Sequence, residues 1–475
     1  MTTTADTLRR AAELATAYLD GLGERPVGQP VDVEAVRATV ARPLGDDPVE
    51  PATVIGELAA AVDGGLVGSA GPRFFGFVVG GSEPAPLAAD WLTSAWDQNA
   101  GLYVLSPAAA VVEEVAAGWL VDLLGLPSGT SVGFTTGATM ANFTALAAGR
   151  HALLARHGWD VERDGLFGAP ELPVVVGEEA HVTVHVSLQM LGLGRDRVVR
   201  VPADGQGRMR ADALREALAS LGRPAIVCAQ AGNVNTGAFD PLPEIVDAVR
   251  AHDGWLHVDG AFGLWAAASP ALRDRIAGLE GADSWTTDAH KWLNVPYDSG
   301  LVFVADASAH HASMTLGAAY YVETEGAERD PYNWVPESSR RARGFAIYAA
   351  LRALGRRGLA ELIERCSSHA RRFADGLRDQ PGFVVLNDVV LNQVLVRLET
   401  PGEDPVASDE RTRALVAAIQ RDGTLWLGGT TWHGRGAMRI SVSNWSTTED
   451  DVDRAIDVIV RCARALPEPA ATAAG

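Results

Sequence analysis

Between residues 131 and 304 short, largely apolar runs alternate with longer stretches in which apolar positions return every three or four residues. The short runs predict strands at 131–135, 172–177, 197–201, 224–229, 255–259, 283–287 and 299–304. The stretches between them predict helices at 138–155, 181–191, 211–221 and 241–252. Runs such as Pro173-Val-Val-Val176 and Ala225-Ile-Val-Cys228 carry no polar position, as expected of strands covered on both faces by helices. Alternation of this kind predicts an α/β domain around a mainly parallel seven-stranded sheet.

The pattern differs on either side. Residues 5–20 and 51–63 read as helices with little of their own to bury. Ser106-Pro107 opens a further helix that runs through Leu124, with Ser as cap and Pro in the first turn. Beyond 345, helices at 338–354, 358–378, 409–421 and 448–466 and strands at 383–386, 392–398, 424–428 and 437–443 predict a smaller α+β domain. The expected division is an N-terminal helical segment over 1–85, a large α/β domain over 86–345 and a small domain over 346–475.

Composition narrows the function classes. At 475 residues the chain is too long for one small core. A formal net charge of −20 opposes nucleic acid and anionic membrane as partners. Cys228, Cys366 and Cys462 are scattered without metal spacing, which fits buried thiols in a reducing compartment and no metal site. With Asp6, Glu13 and Asp20 among its apolar residues, the N-terminus reads as an amphipathic helix, not a signal peptide, so a cytoplasmic protein is expected.

Lysine occurs once, as Lys291 in Asp288-Ala-His-Lys-Trp-Leu293, directly after a predicted strand. Arg cannot lose its proton in a protein, whereas Lys can act as an amine nucleophile, so a lone lysine among arginines is a candidate Schiff-base residue. In an open α/β sheet ligands gather at the carboxyl ends of the strands. Strand 131–135 is followed there by Thr136-Gly-Ala-Thr139, a helix start that either caps the helix or cradles phosphate. Strand 172–177 is followed by His181, either a surface histidine or a flat plate over a ligand. Strand 255–259 ends in Asp259, either a helix cap or the partner of a buried cation. Phosphate cradle, flat histidine, acid and lysine, in that order, together describe pyridoxal 5′-phosphate.

The chain resembles the group II pyridoxal-phosphate amino-acid decarboxylases of fold type I, the family of aromatic-amino-acid, histidine and glutamate decarboxylases. The resemblance runs over about residues 25 to 460. Its landmarks are Gly71-Pro-Arg-Phe-Phe-Gly-Phe77, Ser106-Pro107 with Glu113, Thr136-Gly-Ala-Thr139, Ala180-His181, Gly237-Ala-Phe-Asp240, His257-Val-Asp259 with Ala261, His290-Lys291-Trp292, and Trp334 followed by Arg340, Arg341 and Arg343. The resemblance implies that Lys291 forms the internal aldimine and Asp259 pairs with the pyridine nitrogen. His181 would stack on the ring, with Ala261 on its other face. Gly137, Ala138 and Thr139 would hold the phosphate, helped by His290 or Asp288. It also implies a homodimer embraced by N-terminal helices.

In such an enzyme the bond broken at Cα, through a quinonoid, is set by orientation, and a loop tyrosine protonates the carbon. Tyr332 in Asp330-Pro-Tyr-Asn-Trp334 is the match, one residue closer to the tryptophan than in the family, with Tyr320 and Tyr321 as alternatives. Two other departures stand out. The family's Gly-Thr-Thr reads Gly232-Asn-Val-Asn-Thr236, putting the amide of Asn233 where a cofactor-side hydroxyl belongs. The aromatic members' Tyr-Phe-Pro-Thr pocket wall reads Phe77-Val-Val-Gly80, which leaves the substrate open. Arg439, in Gly436-Ala-Met-Arg-Ile-Ser-Val-Ser443, is a substrate-carboxylate ligand or a structural residue. The expected activity is decarboxylation of an L-amino acid to its amine. The rivals are transamination, retro-aldol cleavage, decarboxylation with oxidative deamination to an aldehyde, and a non-catalytic vitamin-B6-binding protein.

Overall fold

The computed structural model describes residues 3–28, 30–315, 328–400, 402 and 404–467. All seven strands predicted for the large domain form: β1 (Ser131–Thr135), β2 (Val174–Gly177), β3 (Val199–Val201), β4 (Ile226–Gln230), β5 (Trp255–Asp259), β6 (Ser284–Asp288) and β7 (Gly300–Val304). They lie in the order β1-β7-β6-β5-β4-β2-β3. From β3 to β6 every pairing is parallel, while β7 runs antiparallel to both β6 and β1. Every residue of β1, β2, β4, β5, β6 and β7 is buried, as expected of strands with helices on both faces, and this includes the polar Ser284, Thr286, Thr287 and Asp288 of β6. The helix Ala138–Ala155 contributes to this cover, packing on β1, β5, β6 and β7.

A second sheet, formed beyond residue 382, is four-stranded and antiparallel, in the order β10-β11-β9-β8. Its strands are β8 (Phe383–Val385), β9 (Gln393–Leu398), β10 (Gly428–Trp432) and β11 (Arg435–Ser441). The strand expected at 424–428 begins only at Gly428. The backbone before it is already engaged: the amide of Trp426 donates to Arg73 O, and its carbonyl accepts from Phe75. The two helices expected at 338–354 and 358–378 form within the run Gly344–Arg378, parted at Gly355, where φ is 60° and ψ −176°. Residues 338–343 stay outside it because Arg340 and Arg341 are drawn sideways to acids on other helices.

The N-terminal helices Thr4–Gly21, Val33–Val40 and Pro51–Val62 bury no residue. The helix Pro84–Trp96, which the apolar pattern did not reveal, runs across residue 85, the expected end of the N-terminal segment. Among the described residues no helix is long and apolar enough to cross a membrane.

Candidate active site

The carboxyl ends of β1, β2, β5 and β6 bring the expected groups together. β1 leads through Gly137 into the helix Ala138–Ala155, and Gly137 offers no side chain as a cap. A Cβ on Gly137 would lie 3.3 Å from His290 Cε1 and 3.4 Å from Asp288 Oδ1, so the absent side chain keeps the helix start open to the residues after β6. Ala138 donates its amide to Asp288 Oδ1 at 2.6 Å, and Thr139 begins the next turn.

Asp259 closes β5 with its carboxylate fixed on both oxygens. Oδ1 accepts from the Ala261 amide at 3.1 Å and Oδ2 from Asn142 Nδ2 at 3.2 Å. Behind it, Asn142 Oδ1 accepts from His257 Nε2 at 2.9 Å and from Thr286 Oγ1 at 2.8 Å, while His257 Nδ1 meets Ser284 Oγ at 3.0 Å. All four supporting residues are fully buried. Burial pulls His257 down to about 4, so it stands neutral behind the acid.

His181 caps the helix Val182–Met190. Its Nδ1 lies 2.8 Å from Thr183 Oγ1 and accepts from the Thr183 amide. Burial lowers its pKa, with Lys291 and Arg439 acting the same way and Asp259 and Asp288 opposing. The result is an uncharged flat ring at neutral pH. Thr183 Oγ1 also accepts from Asn142 Nδ2 at 3.4 Å, which ties His181 to the support of Asp259.

Lys291 follows β6, its Nζ 3.0 Å from Asp288 Oδ2. The loop at Gly80 presses on its backbone: a Cβ there would meet Lys291 O at 1.7 Å, so no larger residue fits. His290 accepts the Ser299 amide on Nδ1, which leaves Nε2–H facing Asp288 Oδ1 at 3.5 Å. Burial lowers its pKa as well. Tyr297 stacks on that imidazole at 4.3 Å, a contact the sequence did not signal.

Arg439, on β11, reaches across from the small domain and donates to Val234 O at 3.3 Å. Burial lowers its pKa, and among the described residues no acid forms an ion pair with it. Phe77, at φ 54°, is 63% exposed and stacks on Trp426, which stacks in turn on Phe74.

One expected residue faces elsewhere, and a second is deeply buried. The Asn233 side chain turns into its own loop, where Oδ1 accepts from the amides of Asn235 and Thr236 and Nδ2 packs by Gly207. Tyr332 lies in a short 3-10 turn, Pro331–Trp334, only 2% exposed, with its amide donating to Gly101 O. Tyr320 and Tyr321 lie outside the described residues. The arginines of the 340–343 landmark are scaffolding: Arg340 pairs with Glu113, Arg341 with Asp90 and Arg343 with Asp298. Asn142 and Thr286 were given no role by sequence reasoning. The single available signal was Asn142 standing one helical turn after Ala138, on the same face.

The donor set fits pyridoxal phosphate: an open helix start, a lone amine, a doubly anchored carboxylate and a neutral imidazole. Together with the sheet, these define a pyridoxal-phosphate enzyme. Residues 36–399 match the family described as pyridoxal-dependent decarboxylase conserved domain, and the chain belongs to that family. It is a pyridoxal-phosphate-dependent carboxy-lyase acting on amino acids. It is 34% identical over 387 residues to the L-2,4-diaminobutyrate decarboxylase of Rhizobium meliloti (strain 1021), covering 80% of this chain and 75% of that one. It is 25% identical over 453 residues to the aromatic-L-amino-acid decarboxylase of Bacillus atrophaeus, covering 93% and 92%. Its fold superposes on Oryza sativa TDC, solved with PLP and tryptamine, with a TM-score of 0.90 at 24% identity and 97% of each chain covered. Mouse CSAD matches with a TM-score of 0.89 at 23% identity, over 97% of this chain and 99% of that one.

Proposed function

We propose that the chain converts an L-amino acid to the corresponding amine and carbon dioxide, with Lys291 as the residue that carries the cofactor. Bound pyridoxal phosphate supplies an electron sink for the bond broken at Cα. Around it, the amides of Gly137, Ala138 and Thr139 at the helix start hold the phosphate. Asp259, kept in place by Asn142 and the Ala261 amide, holds a proton on the ring nitrogen. His181 and Ala261 cover the two faces of the ring. Arg439 would offer a bidentate site for the substrate carboxylate, orienting the substrate for loss of that group. Phe77 forms part of the substrate-side wall.

The observation that carries this reading is that Lys291 is tied through Asp288 to the helix start at Ala138, while Asp259 and, through Thr183, His181 are tied to Asn142 on the same helix. Protonation at Cα needs an acid within reach, and Tyr332 is assigned that role, with Tyr320 and Tyr321 as alternatives. The working form is a homodimer. The N-terminal helices that bury nothing, and the exposed Trp91, Leu92, Trp96, Val104, Leu105, Val111 and Val115 that follow them, support it.

The test is incubation of the holoenzyme with each common L-amino acid, measuring carbon dioxide, amine, ammonia and aldehyde together. Amine and carbon dioxide in equal amounts from one substrate class is the expected result. Aldehyde and ammonia without amine would overturn it. Borohydride should trap the cofactor on Lys291, and Lys291→Arg should abolish that adduct.

A further inference from the structure

Asp288 makes the very contacts the cofactor needs. Its carboxylate is 3% exposed at the end of β6. Oδ1 takes the amide of Ala138, the first residue of an 18-residue helix, at 2.6 Å. That amide is one of the free helix-start donors on which a phosphate would sit. Oδ2 takes the Lys291 amine at 3.0 Å, the group that would capture the aldehyde.

Among the described residues the cation paired with this acid is Lys291, on the aldehyde side, and no Arg pairs with it on the phosphate side. The first turn of the helix carries no basic residue. His290 is held neutral by burial and turns its Nε2–H toward Asp288. A phosphate dianion seated on the Ala138 amide would therefore lie against the Asp288 carboxylate that now accepts from it.

We propose that Asp288 is a built-in competitor of the cofactor phosphate. It must release both the Ala138 amide and Lys291 as the cofactor loads, and it holds affinity below what the helix start alone would give. The inference rests on the cofactor assignment above and concerns this acid alone. Like charges roughly 5 Å apart, at an effective dielectric constant of about 20, change an affinity by at least about tenfold.

The full-length protein, freed of cofactor, tests it with Asp288→Asn and Asp288→Ala against the unsubstituted chain. The ligands are pyridoxal phosphate and pyridoxal, titrated by the absorbance of the adduct on Lys291, and inorganic phosphate, followed by thermal unfolding. Releasing Lys291 affects both aldehydes equally, so the ratio of their affinities isolates the phosphate. The expected result is a preference for pyridoxal phosphate over pyridoxal at least about tenfold larger in both variants. Inorganic phosphate should also raise their unfolding midpoints at lower concentration. An unchanged ratio, or weaker pyridoxal phosphate binding in both variants, overturns the competitor role while leaving the cofactor assignment intact. An unsubstituted protein that forms no borohydride-reducible adduct at Lys291 overturns both.

Discussion

Replacing Asn142 with Leu probes the support behind Asp259 without opening a cavity, because the two side chains share the same branched shape and leucine is the larger. Asn142 is fully buried. Its Nδ2 donates to Asp259 Oδ2, and its Oδ1 accepts from His257 Nε2 and Thr286 Oγ1. Leucine offers none of these, leaving one carboxylate oxygen, one imidazole N–H and one hydroxyl buried without that partner. A buried polar group stripped of its hydrogen bond costs about 1–3 kcal/mol, more where a charge is involved. Three such groups bring the expected loss to about 3–9 kcal/mol. The transfer gain of the added apolar surface offsets only part of it. Side-by-side denaturant titrations followed by ellipticity measure the loss as a lower midpoint. Turnover falls with it, because Asp259 keeps only the Ala261 amide to aim it. A variant within about 1 kcal/mol of the parent, with unchanged kcat, would refute the idea that this network orients the acid.

Arg439→Gln should raise KM by about tenfold or more with a smaller change in kcat, as steady-state kinetics on the identified substrate will show, since a charge-assisted bidentate contact is lost. Glu113→Gln strands the buried Arg340 guanidinium and should cost about 3–5 kcal/mol in the same denaturant assay. Stability should also fall on acidification below pH 6.5. Burial holds His257 at about 4 and His310 at about 3, both below the ordinary 6.5. Between those values and 6.5 the unfolded chain binds protons that the folded chain refuses, so stability present above pH 6.5 is lost as the pH falls. For His257 alone that is about 3 kcal/mol. Unfolding midpoints measured from pH 8 to pH 4 that stay flat would contradict it.

Much was legible in the chain itself. The seven strands of the large sheet follow from local apolar runs, whose length and flanking turns are properties of a few consecutive residues. The strand-end groups were legible too, because a parallel sheet with helical crossovers sends the loop after each parallel strand to one edge. A single lysine after β6 therefore had to lie near an acid after β5. Boundaries that depend on distant partners were not legible. Trp426 looked like part of a strand but gives its backbone to the 73–75 segment.

Pairings across long stretches of sequence were decided only by the folded chain. Arg340 meets Glu113 227 residues away, and Asn142 meets His257 115 residues away. Nothing in the local pattern marks either pair, since a buried acid and a buried asparagine read as anomalies until strand order sets their neighbours. The same holds for Asp288, which the sequence placed at the phosphate and the fold sets on the Ala138 amide and Lys291. Periodicity is a short-range property and fixes which residues are buried. Which buried polar groups satisfy one another is a long-range property of how β1, β5 and β6 lie side by side.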